Sequence, residues 1–223
     1  MRQKISAVGK KLVESGLVEA NFGNISVRSS SGNSFIITKT GTALDEIDSD
    51  GVIEIPIDND ETDTLVEPVI AAATAEADAA PIISAAASII AAAIEKAASS
   101  ETPVHRKIYQ ETNAKAILHA HCQYSVVISL LEDDAGNCSI IPVDSEGKLF
   151  LKEIPIIKGG IGSAELAENA AAAFKDGKTK GIIVLGHGTI AIGATLEEAY
   201  NITAQLEHAA KIKYLYAKAK NLF

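Results

Sequence analysis

Segments of strand character and segments of helix character interleave along all 223 residues, which predicts a layered α/β or α+β domain. Three observations carry that reading. Short β-branched runs such as "SFIIT", "KAILHAH" and "GTIAIG" alternate with longer stretches whose apolar residues recur at helical spacing. Hydrophobic residues make up 47% and charged residues 22%, the balance of an ordinary globular chain. No internal repeat or long flexible linker divides the sequence, so one domain is expected over 1–223. Aromatic residues are only 4% and Trp is absent, so the core must lean on Ile, Leu and Val.

The elements follow in order. Residues 2–15 read as a helix with Ile5, Val8 and Leu12 on one face and Gly16 as a stop. "NISVR" and "SFIIT" flank the turn "SSSGN" as a hairpin, and "VIEIPI" is a further strand before the solvated loop "DNDETD". Residues 65–98 are alanine-rich and predicted helical, interrupted at Pro81, so a helical insertion is expected near 58–98. "SSETPVHRKIYQET" starts a fresh helix, with Ser100 as N-cap and Pro103 in the first turn. "KAILHAH" is a strand and "QYSVVISLL" a helix; "CSIIPV" and "LKEIPIIKG" are short strands. A helix over 163–175 carries Leu166, Ala170 and Phe174. "GIIVLGHGTIAIG" reads as two strands pivoting at Gly186–Gly188, and a long helix from Thr195 follows.

Charge and cysteine content exclude several function classes. With a formal net charge of −9, the surface has the wrong sign for nucleic acid or an anionic membrane, while a small anionic substrate stays open because a cleft sets its own potential. Cys122 and Cys138 are too few for a disulfide framework, which implies a reducing, cytoplasmic setting. "MRQKISAVGKK" lacks the apolar region of a signal peptide, and the run Pro81 to Ile94 is too short and alanine-rich to span a bilayer.

The chemistry concentrates on histidines. On a strand, residues i and i+2 share a face, so His119 and His121 of "HAH" point the same way and Cys122 the other. Imidazole suits zinc and its neighbours, but two histidines alone fit a buried, hydrogen-bonded pair equally well. His187, between two glycines in "LGHGTI", is a candidate third ligand; His105 and His208 lie on helices and are read as structural. Glu101 follows two serines at a helix start, where a carboxylate serves either the helix dipole or general acid–base chemistry. "NFGNIS" and "TKTG" each look like ordinary turns, and together offer donors for phosphate oxygens.

Five elements in order, "GLVEANFGNISVR", "FIITKTGTALDEI", "SSETPVHRKIY", "AILHAH" and "GHGTIAIGATLEEAYNITAQLEHAAKI", resemble the class II aldolase/adducin family, which includes fuculose 1-phosphate aldolases and ribulose 5-phosphate 4-epimerases. The resemblance implies a three-layer α/β/α fold with a mixed, mostly antiparallel central sheet, assembled as a homotetramer with sites between subunits. It implies that His119, His121 and His187 bind Zn2+, with Mn2+ or Co2+ as alternatives. It makes Glu101 the acid–base that moves a proton on an enediolate carbon, and Gly23, Asn24, Thr40, Gly41, Ser99 and Ser100 the phosphate-binding positions. The implied activity is cleavage of a ketose 1-phosphate to dihydroxyacetone phosphate and an aldehyde. Epimerases of the family usually carry Asp where this chain has Glu101, and adducin-like members lack the histidine set. An epimerase or dehydratase of the same fold, and a non-catalytic binding module, are the other readings. Two features depart from the pattern: Asn21 and Lys39 stand where the family often has Thr and Pro. No residue is assigned to the aldehyde side; Tyr214 and Tyr216 are expected to pack on the last helix.

Overall fold

The computed structural model describes residues 1–19, 21–58, 80–220 and 222. The elements are α1 (Arg2–Glu14), β1 (Asn24–Arg28), β2 (Ser34–Thr38), β3 (Val52–Pro56), α2 (Ala80–Ala97), α3 (Thr102–Glu111), β4 (Ala116–Ala120), α4 (Gln123–Asp134), β5 (Ser139–Ile140), α5 (Ser145–Phe150), β6 (Ile154–Ile157), α6 (Ala164–Phe174), β7 (Gly181–Val184), β8 (Gly188–Gly193) and α7 (Leu196–Lys220). The strands form one sheet in the order β3-β2-β1-β4-β8-β7-β6-β5. Neighbours are antiparallel except β6 and β7, which run parallel.

Side-chain alternation sorts the sheet into two buried faces. Ile117 of β4, Ile190 and Ile192 of β8, and Ile182 and Val184 of β7 pack with Val104 and Ile108 of α3 and Leu166 and Phe174 of α6. Their sequence neighbours point the other way. Ala116, Leu118 and Ala120 meet Ile5, Val8 and Leu12 of α1 and Leu196 of α7, while Ile183 and Ala191 meet Ile128 of α4 and Leu206 of α7. Helices therefore cover both faces, giving the three-layer α/β/α arrangement with a mixed, mostly antiparallel sheet.

Pro81 lies in the first turn of α2, where a missing N–H costs nothing; residues 59–79, and with them the expected interruption of a helix at Pro81, lie outside the described residues. Two local expectations change. Ser100 is not the N-cap of α3. That position belongs to Glu101, whose side chain makes no capping hydrogen bond and turns toward the histidines. The short helix α5 is an addition, started by the Asp144 carboxylate accepting from the Gly147 N–H.

Candidate metal centre and its two clefts

The register of β1 against β4 builds the site floor. Asn24 pairs with His119 across the two strands, and Ser26 with Ile117, so all four belong to the face covered by α3. Gly23 lies just outside β1 with φ +96°, and a Cβ there would come 2.4 Å from the His119 carbonyl oxygen. Only glycine lets the chain pass this close to the strand that carries the histidine. His121 lies just past the end of β4 and continues its alternation, so it shares the face of His119. Cys122 goes to the other side, against the Leu17 carbonyl (3.5 Å) and the Thr189 hydroxyl (3.6 Å). Burial pushes its thiol up to about 12, so it stays protonated and inert.

His187 arrives from the turn between β7 and β8. Gly188 has φ +158°, and a Cβ on it would stand 2.3 Å from the Ala120 carbonyl oxygen. That close approach tucks the turn beneath β4. The three imidazoles converge, with ring centroids 4.8, 4.7 and 4.6 Å apart pairwise. One nitrogen from each lies within 4.8 Å of the others.

Protonation states follow from the surroundings. The Nδ1 atom of His119 lies 2.9 Å from the Thr189 carbonyl oxygen, which can only accept, so Nδ1 carries the proton and Nε2 presents its lone pair. Burial, then the neighbouring His121, holds His119 down at about 3. Burial and His119 hold His187 down at about 4, and burial lowers His121. All three are neutral near pH 7.

Glu101 faces this cluster from the start of α3 and is only 3% exposed. Its Oε2 accepts from Asn24 Nδ2 (3.1 Å) and stands 3.1 Å from His119 Nε2; its Oε1 is 3.8 Å from His187 Nδ1. His119 Nε2 and Glu101 Oε1 are buried without a hydrogen-bond partner. A lone pair on a neutral imidazole aimed at a carboxylate oxygen is an unfavourable contact unless a cation lies between them. The donor set fits such an ion: three neutral nitrogens suit zinc and its neighbours and leave room for another ligand. Behind Glu101, Ser26 Oγ meets His105 Nδ1 (2.7 Å) and Tyr109 Oη (2.8 Å), tying α3 to β1. His208, by contrast, is exposed on α7.

Two clefts meet at the cluster. One, of about 280 Å³, is lined by all six expected phosphate positions, Gly23, Asn24, Thr40, Gly41, Ser99 and Ser100, and by Lys39. Within it the Thr40 hydroxyl donates to the Ala98 carbonyl (2.7 Å), and the Ser99 hydroxyl accepts from the Glu101 N–H (3.3 Å). The other, of about 330 Å³, is lined by Leu17, Val18, Glu19, Gln123 and Val126. Phe22, His121 and His187 line both, and Phe22 stacks on His121 with centroids 5.3 Å apart and planes 4° off parallel. Motif reading missed Phe22, Glu19 and Gln123; the signal available was a bulky aromatic beside the close-approach glycine in "NFGN". A larger cleft of about 720 Å³ between Phe150, Asp176 and Glu198 contains none of these residues. The histidine trio is the one group of possible metal-holding residues among those described.

With this geometry in view, the similarities to known proteins agree. The profile of the Class II Aldolase and Adducin N-terminal domain matches residues 3–214, and the chain belongs to that family. It is 34% identical over 119 residues to a protein named L-fuculose phosphate aldolase from Methanococcus maripaludis, a stretch covering 52% of this chain and 61% of that one. A protein of the same name from Methanocaldococcus jannaschii is 26% identical over 96% of both chains. The crystal structure of L-fuculose-1-phosphate aldolase from Thermus thermophilus superposes with a TM-score of 0.75 at 26% identity, covering 99% of this chain and 95% of the other. The chain is also similar to proteins named for other reactions. Over 45% of its length it is 33% identical to a methylthioribulose-1-phosphate dehydratase from Saccharomyces cerevisiae, covering 48% of that protein. A 3-oxo-tetronate 4-phosphate decarboxylase from Escherichia coli is 26% identical over 52% of this chain and 55% of its own.

Proposed function

We propose that the protein is a metal-dependent aldolase that cleaves a ketose 1-phosphate, of the fuculose 1-phosphate kind, into dihydroxyacetone phosphate and an aldehyde. The observation that carries the reading is the buried Glu101 carboxylate within 3.1 Å of an unpartnered nitrogen of a three-histidine cluster. His119, His121 and His187 hold the ion, zinc by preference, with manganese or cobalt able to take the same donors. When bound, the ion polarises the substrate carbonyl and offsets the negative charge that builds up as the carbon–carbon bond breaks. Gly23, Asn24, Thr40, Gly41, Ser99 and Ser100 hold the phosphate and so fix the donor carbon against Glu101. As the carbon–carbon bond breaks, the hydroxyl on the departing carbon gives its proton to solvent and becomes the aldehyde carbonyl, the bonding electron pair stays on the donor carbon, and Glu101 delivers a proton there; in the reverse direction Glu101 removes the same proton. Asn24 keeps one carboxylate oxygen engaged and so aims the other.

On the same reading residues 1–223 act as one catalytic unit, with the alanine-rich segment near 58–98 as an insertion. The family resemblance also supports a homotetramer with sites at subunit interfaces and a cytoplasmic location. Among the described residues no helix is long and apolar enough to cross a membrane.

The test combines metal analysis with product analysis. One bound metal per chain is expected, lost in His119→Ala and His187→Ala. The protein should turn over fuculose or ribulose 1-phosphate into two fragments, and Glu101→Ala should lower kcat by roughly 10²–10⁴. Dehydration, or a single epimeric product, would move the reaction to another branch of the family. Unchanged turnover in Glu101→Ala would remove the role given to that residue.

A further inference from the structure

The buried face of α3 carries a polar stripe. Glu101, His105 and Tyr109 recur every fourth residue, so they share one side of the helix, and all three are buried. The stripe lies on β1, whose alternate residues Asn24 and Ser26 are buried against it. Asn24 Nδ2 donates to Glu101 Oε2 (3.1 Å), and Ser26 Oγ lies 2.7 Å from His105 Nδ1 and 2.8 Å from Tyr109 Oη. A hydroxyl both donates and accepts, so Ser26 serves the two at once. Further along β1, Arg28 clamps the far end of the same helix: its guanidinium stacks on the Tyr109 ring (4.8 Å) and donates to the Tyr109 and Thr112 carbonyls. Val104 and Ile108 beside the stripe make apolar contacts, which are non-directional and tolerate sliding. Buried hydrogen bonds fix distance and angle instead. A slip of α3 by one residue would shift it by about 1.5 Å and turn it by about 100°, breaking every one of these pairs. His105 also keeps its Nε2 buried without a partner. Packing alone would be better served by leucine, which strands no polar atom.

From this pairing, and resting on the acid–base role given to Glu101, we infer that His105 is a positioning residue for the reaction. Through Ser26 it holds the first turn of α3 on β1 at the register that keeps Glu101 on Asn24 and beside His119. His105 lines neither cleft, so it acts on substrate only through Glu101. Removing its bond to Ser26 leaves Arg28 to dock the far end of α3, so the helix stays on the sheet while Glu101 loses its aim. A displacement of about 1 Å at a group that transfers a proton costs up to about a hundredfold in rate. That loss falls on kcat, because His105 contributes no contact to substrate or metal.

The experiment uses the full chain loaded with metal. Crystal structures and cleavage kinetics on fuculose 1-phosphate are compared for the wild type, His105→Leu, His105→Asn and Ile108→Val. The last thins the packing of α3 without touching a polar group. In His105→Leu the Glu101 carboxylate is expected to leave Asn24; in Ile108→Val it should stay. His105→Leu should lower kcat about 10- to 100-fold, with KM within about threefold of the wild type and metal content unchanged. His105→Asn, which keeps a hydrogen-bonding group near Ser26, should lose less, and Ile108→Val should keep the wild-type rate. The double variant Glu101→Ala, His105→Leu should be no slower than Glu101→Ala alone, since the histidine acts through that carboxylate. If His105→Leu does not fold, Ser26→Ala and Tyr109→Phe take its place in the same comparisons. An unmoved carboxylate, or a loss on the Glu101→Ala background as large as on the wild type, overturns the inference. If the wild type cleaves no ketose 1-phosphate but the carboxylate leaves Asn24 in His105→Leu, the positioning of Glu101 stands and the aldolase reading falls.

Discussion

His105 is the residue whose sequence role and structural role differ most. Its place on a helix reads as structural, yet it is fully buried one turn from Glu101, its Nδ1 is 2.7 Å from Ser26 Oγ, and its Nε2 has no partner. Burial, then nearby His119, drives its pKa down to about 3. The imidazole therefore stays neutral in the fold, while the unfolded chain protonates it below about pH 6.5. Its contribution to stability is full above pH 6.5 and lost as pH falls toward 3. Ser26 is its hydrogen-bonded neighbour and in turn meets Tyr109, which stays neutral because burial raises its pKa. Urea midpoints at pH 7.5 and 4.5 check this: His105→Asn should be less stable at pH 7.5 but lose less than the wild type on acidification. A wild-type-sized loss in the variant would place the acid sensitivity elsewhere.

At the scale of elements, α4 begins immediately after Cys122, one residue beyond His121, and its start is held by a distant helix. Glu207 of α7 accepts from the Tyr124 N–H (2.9 Å), the Ser125 N–H (2.9 Å) and the Ser125 hydroxyl (2.8 Å). This carboxylate supplies the cap that no residue at the N-cap position provides. Glu207→Ala should cost about 1–3 kcal/mol in guanidinium unfolding. It should also weaken metal retention, because His121 sits at that junction. Glu207→Gln, which keeps one acceptor oxygen, should lose less. Equal stability of both variants and the wild type would show that α4 starts without help from α7.

For the whole molecule, the site depends on three separated parts of the chain. His119 and His121 come from the sheet centre, His187 from the β7–β8 turn and Glu101 from the start of α3. Each is positioned by the packed faces of one sheet, so an ion bound to all three histidines favours the folded state over the unfolded chain. Free metal at a hundredfold excess over its dissociation constant should add about 2.7 kcal/mol of stability. A thermal scan should show a higher Tm with zinc than with chelator, and little difference in a His119→Ala, His187→Ala double variant. An unchanged wild-type Tm would argue against a metal held by this trio.

The sequence by itself determined the parts of this protein that depend on local chemistry. Strand alternation put His119 and His121 on one face and Cys122 on the other, and propensity and pattern placed β1, β2, α6 and the Gly186–Gly188 pivot. It also marked Glu101 and the six cleft residues, because five motifs kept one family's order. Ser100 yields the N-cap position to Glu101 for a local reason: either residue could open the helix, and packing decides between them. What only the tertiary structure decided is long-range. The β1–β4 register set Asn24 against Glu101, Glu207 reached across to cap α4, and folding brought Glu19 to Gln123, 104 positions away in the chain. Such contacts depend on how separate elements dock, and periodicity along the chain has no term for that.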